Sequence, residues 1–389
     1  MVSLAHVPMA LSTQGSTLMT VAQSIINASG PQGISSKAVL SDNRNVSLSG
    51  AELHYVDYTR NCPRAWFSRT ELAIDIGSGR LGQLRPFHGR LYDPAIEAIR
   101  ATGADVTLLY EGHYAAASLP RWNDLRRRSI LVLYCHNPLS RSYGQRELRR
   151  LLARADVVAF CADHLRLNTE ERLDGVLPAR FVTVPNGVDP LFFPLSKVAA
   201  SEPFTVVFAG LTSPHKGTHL VLEAIDLASH MTDRPLRGLI IGSHSYGHEQ
   251  HTLSEYESRL RAKAEMMTAP VEFLPFLPKP ELGERLRNAT VACLPSQWPE
   301  GMPLIALEAM ASGLPLITSD SIGMVEAVGD AGFIVPGGDP KGMAEVFVRL
   351  SESQAERTAA VQRSLARATK FTWERVAAVF ASLTGSATA

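Results

Sequence analysis

The chain has 389 residues, of which 45% are hydrophobic and 20% are charged, and its 38 basic side chains balance 38 acidic ones. This composition is typical of an ordinary soluble globular protein, and the zero net charge predicts no nucleic-acid partner. The length exceeds what a single hydrophobic core usually supports, so we expect two domains.

Four cysteines lie far apart and form no CxxC pair, which predicts neither a disulfide framework nor a zinc site. The first residues lack the basic region and the clean apolar stretch of a secretory signal, and no apolar run reaches the roughly 18 residues of a spanning helix. We therefore expect a cytoplasmic protein that is soluble or at most peripheral to a membrane.

Apolar runs typical of strands alternate with helical periodicity along the chain, which is the pattern of an α/β fold with parallel sheets. The first set of runs is VSLAHVPM, SKAVLS, DVTLLY, ILVLYC, DVVAFC and RFVTVP. The second set is FTVVFAG, RGLIIG, VEFLPF, VACLPS and LPLITS. Between the sets, residues 186–204 contain an Asn-Gly turn, two proline-containing breaks and a polar end, which together indicate a turn followed by a linker. We predict domains at residues 1–195 and 196–371, followed by a helix at about 372–389.

Polar residues follow many of these runs, as in YEGH, YCHN, AGLTSPHKG and PSQWPEG. In open parallel sheets, ligands bind beyond the carboxyl ends of the strands. We therefore expect these loops to converge on one cleft between the domains. The segment YEGH, residues 110–113, fits the edge of such a cleft or a simple turn.

The segment PEGMPLIALEAMASGLPL, residues 299–316, predicts a short helix from Pro303 to Ser312, because proline suits a first helical turn and Gly313 a helix end. Glu308 then lies in the helix interior, among residues expected to face the core. A buried carboxylate must be protonated, paired with a cation, or hydrogen-bonded by a ligand such as a ribose diol.

Glu300 precedes the same helix, next to the main-chain N–H groups of Gly301, Met302 and Leu304. A helix start of this kind is a natural site for an anion or a hydroxyl group. The alternative is that Glu300 is an exposed loop residue and that Glu308 pairs with a lysine or arginine at the helix rim.

Four collinear stretches resemble one protein family. They are the segment with the two glutamates, VTVPNGVDPLFFPL (residues 182–195), FAGLTSPHKGTHLVLEAI (residues 208–225) and VEFLPFLPKPELGERLRNATVACLPSQ (residues 271–297). Together they resemble the glycogen-synthase-like group of retaining glycosyltransferases, family four. The resemblance covers roughly residues 181–338 and is thin before them.

The resemblance implies a GT-B fold, with two doubly wound Rossmann-like domains facing a central cleft and a C-terminal helix that packs back on the first domain. It implies transfer of a sugar from a nucleotide-diphosphate donor to an acceptor hydroxyl with retention at the anomeric carbon. The departing phosphate can take the acceptor's proton, so no metal or cofactor is expected. The acceptor, whether a small molecule, a glycan or a lipid-linked sugar, stays open.

The resemblance also implies roles for individual residues. The second domain binds the donor: Glu308 holds the ribose, Glu300 lies beside the transferred sugar, and Lys216 neutralises the diphosphate. Further residues are expected to contact the donor through their main chain or from the first domain: Gly15, Gly210, Gly301, Met302, Leu304 and His136. We expect Glu300, His136 and Lys216 to be the catalytic set.

One position departs from the family pattern. The family usually carries an arginine where this chain has Leu211, directly after Gly210. We expect His215, His219 or an arginine of the first domain to supply the missing positive charge. Two alternatives to the transferase remain open: a nucleotide-sugar isomerase of the related epimerase kind, and a degenerate GT-B scaffold without catalysis.

Two charged or metal-binding patterns remain. His244, His248 and His251 have spacings that suit zinc, but a polar loop is the simpler interpretation and we predict no metal. The arginine runs at residues 121–129 and 141–156 indicate a solvated helix face or, alternatively, a patch for an anionic acceptor or a phospholipid surface, and hence a weak peripheral membrane contact.

Overall fold

A computed structural model of the chain describes residues 2–8, 16–42, 46–58, 69–110, 113–194, 203–244 and 253–386. The chain divides into two compact units, one formed by Met1–Gly187 with Trp373–Ala389 and the other by Val188–Thr372. The boundary predicted at residue 195 lies outside the described residues. The units divide earlier, between Gly187 and Val188, inside the Asn-Gly turn of PNGVD.

In the described part of the first unit, seven parallel strands form one sheet in the order β3-β2-β1-β4-β5-β6-β7. These strands are β1 (Ser3–Val7), β2 (Ser35–Ser41), β3 (Glu52–Val56), β4 (Val106–Tyr110), β5 (Ile130–Cys135), β6 (Val157–Phe160) and β7 (Arg180–Thr183). The strand order reverses between β1 and β4. This reversal makes the carboxyl edge of β1 and β4 the natural ligand crevice of the unit.

In the described part of the second unit, six parallel strands follow the order β10-β9-β8-β11-β12-β13. They are β8 (Phe204–Ala209), β9 (Leu236–Ile241), β10 (Val271–Leu274), β11 (Val291–Leu294), β12 (Leu316–Ser319) and β13 (Phe333–Val335). Here the order reverses between β8 and β11. The loops after these two strands, which carry Lys216 and Glu300, are therefore brought to one edge of the sheet.

Helices alternate with these strands in both units. In the described residues they are α1 (Thr17–Ser29), α2 (Arg69–Arg80), α3 (Asp93–Thr102), α4 (His113–Ser118), α5 (Gln145–Leu152), α6 (Asp163–Arg172), α7 (Thr218–Ser229), α8 (Glu255–Glu265), α9 (Lys279–Arg287), α10 (Leu304–Ala311), α11 (Ile322–Val328), α12 (Pro340–Glu352), α13 (Gln354–Ala368) and α14 (Trp373–Ser382). None of them combines the length and the apolar character that a membrane span needs.

Each apolar run that the sequence analysis assigned to a strand overlaps one of these strands. The two strands that it missed, β3 and β13, lie at sheet edges. β3 has no fully buried residue, and β13 has only 3 residues, one of them buried. Edge position alone does not explain the miss, because the edge strands β7 and β10 were predicted. The β3 sequence ELHYV mixes polar and apolar residues, and β13 is too short to form an apolar run.

The last helix packs within the first unit. α14 lies against α1 and β1, and the Phe380 ring meets the Tyr134 ring edge-on with centroids 5.1 Å apart. The polypeptide thus returns to the first unit after completing the second.

Candidate functional site

The loops after β8 and β11 meet in an ion pair. Lys216 Nζ lies 2.5 Å from Glu300 Oε1, and Ser296 Oγ donates a hydrogen bond of 2.6 Å to the same oxygen. The Glu300 side chain is 13% exposed and the lysine side chain 32%. The structure therefore brings together two predicted site residues, and it gives the lysine a carboxylate partner before any ligand is present.

Hydroxyl groups from the neighbouring strand fix the loop that carries Glu300. Ser319 Oγ donates to the carbonyl of Ser296, and Ser321 Oγ donates to the carbonyl of Trp298 at 2.5 Å. The sequence analysis did not single out these serines. The sequence marks these serines only by their position, at or just after the carboxyl end of β12, the strand next to β11.

The first turn of α11 touches the same loop at Gly323. A Cβ atom at this position would collide with the main-chain carbonyl oxygens of Glu300 and Gly301. Only a residue without a side chain allows this approach, so Gly323 holds the Glu300 loop against α11.

A cavity of about 380 Å³ opens beside the loop, next to Ser296. The loops after β11, β12 and β13 line it with residues Ser296, Gln297, Trp298, Pro299, Asp320, Ser321, Ile322 and Gly337. The Trp298 side chain is 41% exposed. Hydroxyl, carboxylate and amide groups beside an accessible aromatic ring suit a polar ligand with an apolar face.

Glu308 lies on a helix whose ends are set by proline and glycine. α10 begins after Pro303, which occupies the N-cap in an extended conformation, and is followed by Gly313 at φ +78°. The predicted span from Pro303 to Ser312 is confirmed, because these two residues are the caps of the helix. Gly301, Met302 and Leu304 fall directly before and at its first turn, as predicted from their order.

The Glu308 side chain is buried within the second unit, with 9% of the residue exposed. Burial raises its pKa from 4.5 to about 7; nearby Lys279 opposes this rise and Asp189 adds to it. Lys279 Nζ is 3.6 Å from Asp189 Oδ2, so the lysine is shared. Among the described residues, none donates a hydrogen bond to the Glu308 carboxylate. The nearby charge of Lys279 is thus the protein group that favours the ionised form of this carboxylate.

Neither Lys279 nor Asp189 was identified as a site residue from the sequence. Asp189 belongs to the PNGVD motif and Lys279 to the segment after β10, so both were quoted without a role. Their approach to Glu308 depends on tertiary packing, since α9 lies against the short turn at Pro190–Phe192, which in turn touches α10.

Glycines allow the main chain to fold closely around the start of the second unit's crevice. Gly210 follows β8 at φ +144°, and a Cβ on Gly242, at φ +128°, would collide with the Gly210 carbonyl oxygen. Gly217, directly after Lys216, has φ +73° and abuts the carbonyl of Pro295. The predicted donor residue Gly210 thus occupies a position that disfavours any side chain.

The structure narrows the choice of a cation to replace the arginine absent at Leu211. His219 Nδ1 lies 2.9 Å from the Tyr256 hydroxyl, and burial lowers the pKa of this histidine. The lowered pKa makes a positive charge on His219 less favourable. His215 is exposed, and its ring lies 5.3 Å from the Trp298 ring.

His136, in the first unit, follows β5 and is 8% exposed. Its ring contacts Tyr134 edge-on at 4.3 Å and stacks on Tyr110 at 6.3 Å. Tyr110 in turn lies 2.8 Å from His6 Nδ1, through its hydroxyl. Burial lowers the pKa of His136 to about 4 and that of His6 to about 3, so both imidazoles are neutral at physiological pH.

This aromatic cluster spans the carboxyl ends of β1, β4 and β5. The sequence analysis predicted His136 but missed His6. It placed Tyr110 both at the end of the strand run DVTLLY and at the start of YEGH, and the structure shows this residue fully buried at the end of β4. The available signal for His6 was its position as a polar residue inside the apolar run of the first strand. Gly15 and residues 111–112 of YEGH lie outside the described residues.

His244 bonds to a carboxylate. Its Nδ1 lies 2.7 Å from Glu257 Oε2, and Glu257 also caps α8 through Ser254. His248 and His251 lie outside the described residues. Within the described ranges, no group of three or more histidine, cysteine or acidic side chains is arranged to hold a metal ion.

We expect Gly323→Ala to destabilise the second unit, because the added methyl group meets main-chain atoms that cannot move independently. The free energy of unfolding should fall by about 1–3 kcal/mol, measured by urea denaturation. Gly77→Ala is the matched control, since Gly77 lies in α2 with open space around its Cβ position. A stable Gly323→Ala variant would show that the loop is not held by this contact.

We expect Glu308→Gln to stabilise the ligand-free protein at high pH. The pKa is raised in the folded state, so stability is lost as the pH rises from 4.5 towards 7 and the carboxylate must ionise in a buried site. The shift corresponds to roughly 3 kcal/mol above pH 7, which the glutamine removes. Denaturation at pH 5 and pH 8 measures it, with exposed Glu345→Gln as the control. An equal effect at both pH values would contradict the assigned burial cost.

Comparison with known proteins places the second unit in a family. The family model described as glycosyl transferases group 1 matches residues 195–367. A D-inositol 3-phosphate glycosyltransferase of Acidothermus cellulolyticus is 33% identical over 246 residues, which is 58% of this chain and 53% of the relative. A phosphatidyl-myo-inositol mannosyltransferase of Mycolicibacterium smegmatis is 31% identical over 204 residues, 51% of this chain and 50% of the relative. The chain thus spans about half the length of these curated relatives.

Solved structures resemble the chain over nearly its whole length. Sucrose-phosphate synthase from Thermosynechococcus elongatus has a TM-score of 0.72 at 17% identity, covering 100% of this chain and 99% of that one. Anabaena HepE, solved in complex with UDP and glucose, has a TM-score of 0.68 at 15% identity, covering 98% and 99%. The predicted GT-B fold class, with two Rossmann-like parallel-sheet units, is confirmed. Residues 195–367, which make up most of the second unit, match the family model of the group 1 glycosyltransferases.

Proposed function

We propose that the protein is a retaining glycosyltransferase that moves a sugar from a nucleotide-diphosphate donor to an acceptor hydroxyl. The observation that carries this proposal is the buried Glu308 carboxylate, which receives no hydrogen bond from the described protein groups and has a raised pKa. A group held in this state weakens the fold, and strongly perturbed carboxylates of this kind cluster at ligand sites.

A ribose diol has the hydrogen-bond donors that the Glu308 carboxylate lacks. Its two adjacent hydroxyl groups donate hydrogen bonds to the two oxygens of one carboxylate, and such charge-assisted bonds favour the ionised form. Glu308 lies on α10, the helix that directly follows the loop after β11. This position supports the role, because nucleotides bind beyond the carboxyl ends of strands where the strand order reverses.

The Lys216–Glu300 pair supports the chemical step. In the proposed reaction the bond between the anomeric carbon and the diphosphate oxygen breaks, and the acceptor oxygen bonds to that carbon on the same face. The acceptor's proton passes to the departing diphosphate. Lys216 counters the charge that develops on the diphosphate, and the main-chain N–H groups near Gly301 and Leu304 add positive potential at the same helix start.

The proposal also includes the identity of the sugar donor and the cellular compartment of the protein. Anabaena HepE was solved with UDP and glucose, so a uridine diphosphate sugar is the first donor to test. The acceptor class, the absence of a resident metal and the cytoplasmic location remain predictions from the sequence. The roles predicted for His136 and Gly15 remain predictions as well.

We expect one nucleotide of a panel of UDP, GDP, ADP and TDP to raise the melting temperature through binding to the folded state. For that nucleotide, wild-type affinity should rise about tenfold from pH 6 to pH 8, because binding requires ionised Glu308. The Glu308→Gln variant should bind the nucleotide more weakly. It should also lack the part of the pH dependence that comes from ionisation of Glu308. Calorimetric titration at the two pH values measures both effects.

Titration of the ligand's own phosphate is the same for wild type and variant, so the difference between them isolates Glu308. Glu345→Gln should behave like wild type. If no nucleotide binds at millimolar concentration, the transferase proposal fails and the scaffold alternative gains support.

We expect the Lys216→Gln and Glu308→Gln variants to differ in their affinities for a nucleoside and for its diphosphate. Lys216→Gln should weaken UDP binding by about tenfold to a hundredfold, the value of charge-assisted contacts to phosphate, and leave uridine binding unchanged. Glu308→Gln should weaken both ligands similarly, because both carry the ribose. The opposite pattern would show that the two roles are wrongly assigned.

A further inference from the structure

A second cavity, with a volume of about 420 Å³, lies in the first unit and is lined by positively charged side chains. Five residues line it: Leu84, Arg126, Arg150, Ala153 and Arg154. Three of the five are arginines, and they come from two separate parts of the chain. Arg126 lies in the short turn before β5, whereas Arg150 lies on α5 and Arg154 just after it.

The cavity lies at the amino edge of the sheet. Arg126 precedes the start of β5 at Ile130, and Arg154 precedes the start of β6 at Val157. His136 follows the other end of β5. Because the strands are parallel, the arginine cavity and the cluster around His136 lie at opposite edges of the same sheet. The cavity is therefore separate from the candidate site.

Its charge is not balanced by the surrounding carboxylates. Asp156 Oδ1 accepts bonds from Arg126 Nε at 3.0 Å and Nη2 at 2.6 Å. Arg150 donates to the carbonyl of Gly82. Within the part of the chain that the structure describes, no carboxylate is paired with Arg150 or Arg154. The cavity thus carries an excess of about two positive charges, although the whole chain is neutral.

The three arginines do not share a single helix face. Arg126 comes from the turn before β5, whereas Arg150 and Arg154 come from α5 and the residues just after it, and Leu84 and Ala153 complete the lining. Arg126 is held in place by Asp156 and by the carbonyl of Ala153 at 3.3 Å. Guanidinium groups present planar forks of donors that match phosphate oxygens, and fixed forks lose little entropy on binding.

We propose that this arginine cavity binds a phosphate group, carried either by a soluble phosphate compound or by a lipid headgroup. The site is independent of the nucleotide site proposed for the second unit. Three arginines around one cavity repel one another, and a phosphate dianion would remove that repulsion while using donors that the protein leaves available.

The test uses the full chain and the double variant Arg150→Gln/Arg154→Gln. Both side chains are exposed, so the variant is expected to fold, as its melting temperature without ligand will show. The matched control is Arg172→Gln/Arg259→Gln, which removes the same charge from exposed positions elsewhere. Soluble probes are inorganic phosphate and inositol hexakisphosphate, titrated by calorimetry. The membrane probe is co-sedimentation with vesicles of phosphatidylcholine and phosphatidic acid, with pure phosphatidylcholine vesicles as the blank.

We expect wild type and the control to bind alike and the Arg150/Arg154 variant to bind about tenfold or more weakly, with affinity falling as salt rises. Binding of the soluble probes alone identifies a free phosphate compound. Binding of the vesicles alone identifies a lipid headgroup, and binding of both identifies the shared phosphate chemistry. Absence of binding, or an equal loss in the control variant, overturns the proposal. Uridine, which lacks phosphate, should bind equally to all three proteins if the nucleotide proposal holds.

Discussion

The burial of one carboxylate constrains how the second unit can pack. Glu308 lies on α10, which begins after Pro303 and is followed by Gly313 at φ +78°. Its hydrophobic neighbours on α10 are buried as well, so rotating the helix to expose Glu308 would expose them. The fold therefore retains a carboxyl group whose ionised form is disfavoured by burial.

The two glutamates of the motif occupy opposite electrostatic environments although eight residues separate them. Glu300 is paired with Lys216 and bonded by Ser296, whereas Glu308 shares Lys279 with Asp189 and lacks hydrogen-bond donors. The ion pair and the Ser296 hydrogen bond orient Glu300, whereas burial raises the pKa of Glu308 to about 7. In the proposed reaction a diphosphate would compete with Glu300 for the Lys216 ammonium, so phosphate binding and the freedom of Glu300 would be coupled.

The sequence predicted what is encoded locally and missed what depends on packing. Eleven strands and the caps of α10 follow from apolar runs and from proline and glycine, but β3 mixes polar and apolar residues and β13 has only 3 residues, so neither forms an apolar run. The residue types at the site were also predictable. That Lys216 would reach Glu300, or that Asp189 and Lys279 would flank Glu308, was not, because these contacts join separate loops. His6 and Tyr110 likewise approach His136 only when three strands align.

The backbone of the first unit explains how three arginines can be held together without a ligand. At the amino edge of a parallel sheet the connecting helices end, and helix ends present carbonyl groups and the negative pole of the helix dipole. Ala153 is the C-cap of α5, and it accepts a bond from Arg126; Leu173, the C-cap of α6, accepts one from neighbouring Arg149 at 2.8 Å. The Ala153 carbonyl and Asp156 fix the direction of Arg126, and the Gly82 carbonyl accepts a bond from Arg150. Each guanidinium has five N–H donors, so bonds to one carbonyl or one carboxylate leave further donors for an anion in the cavity.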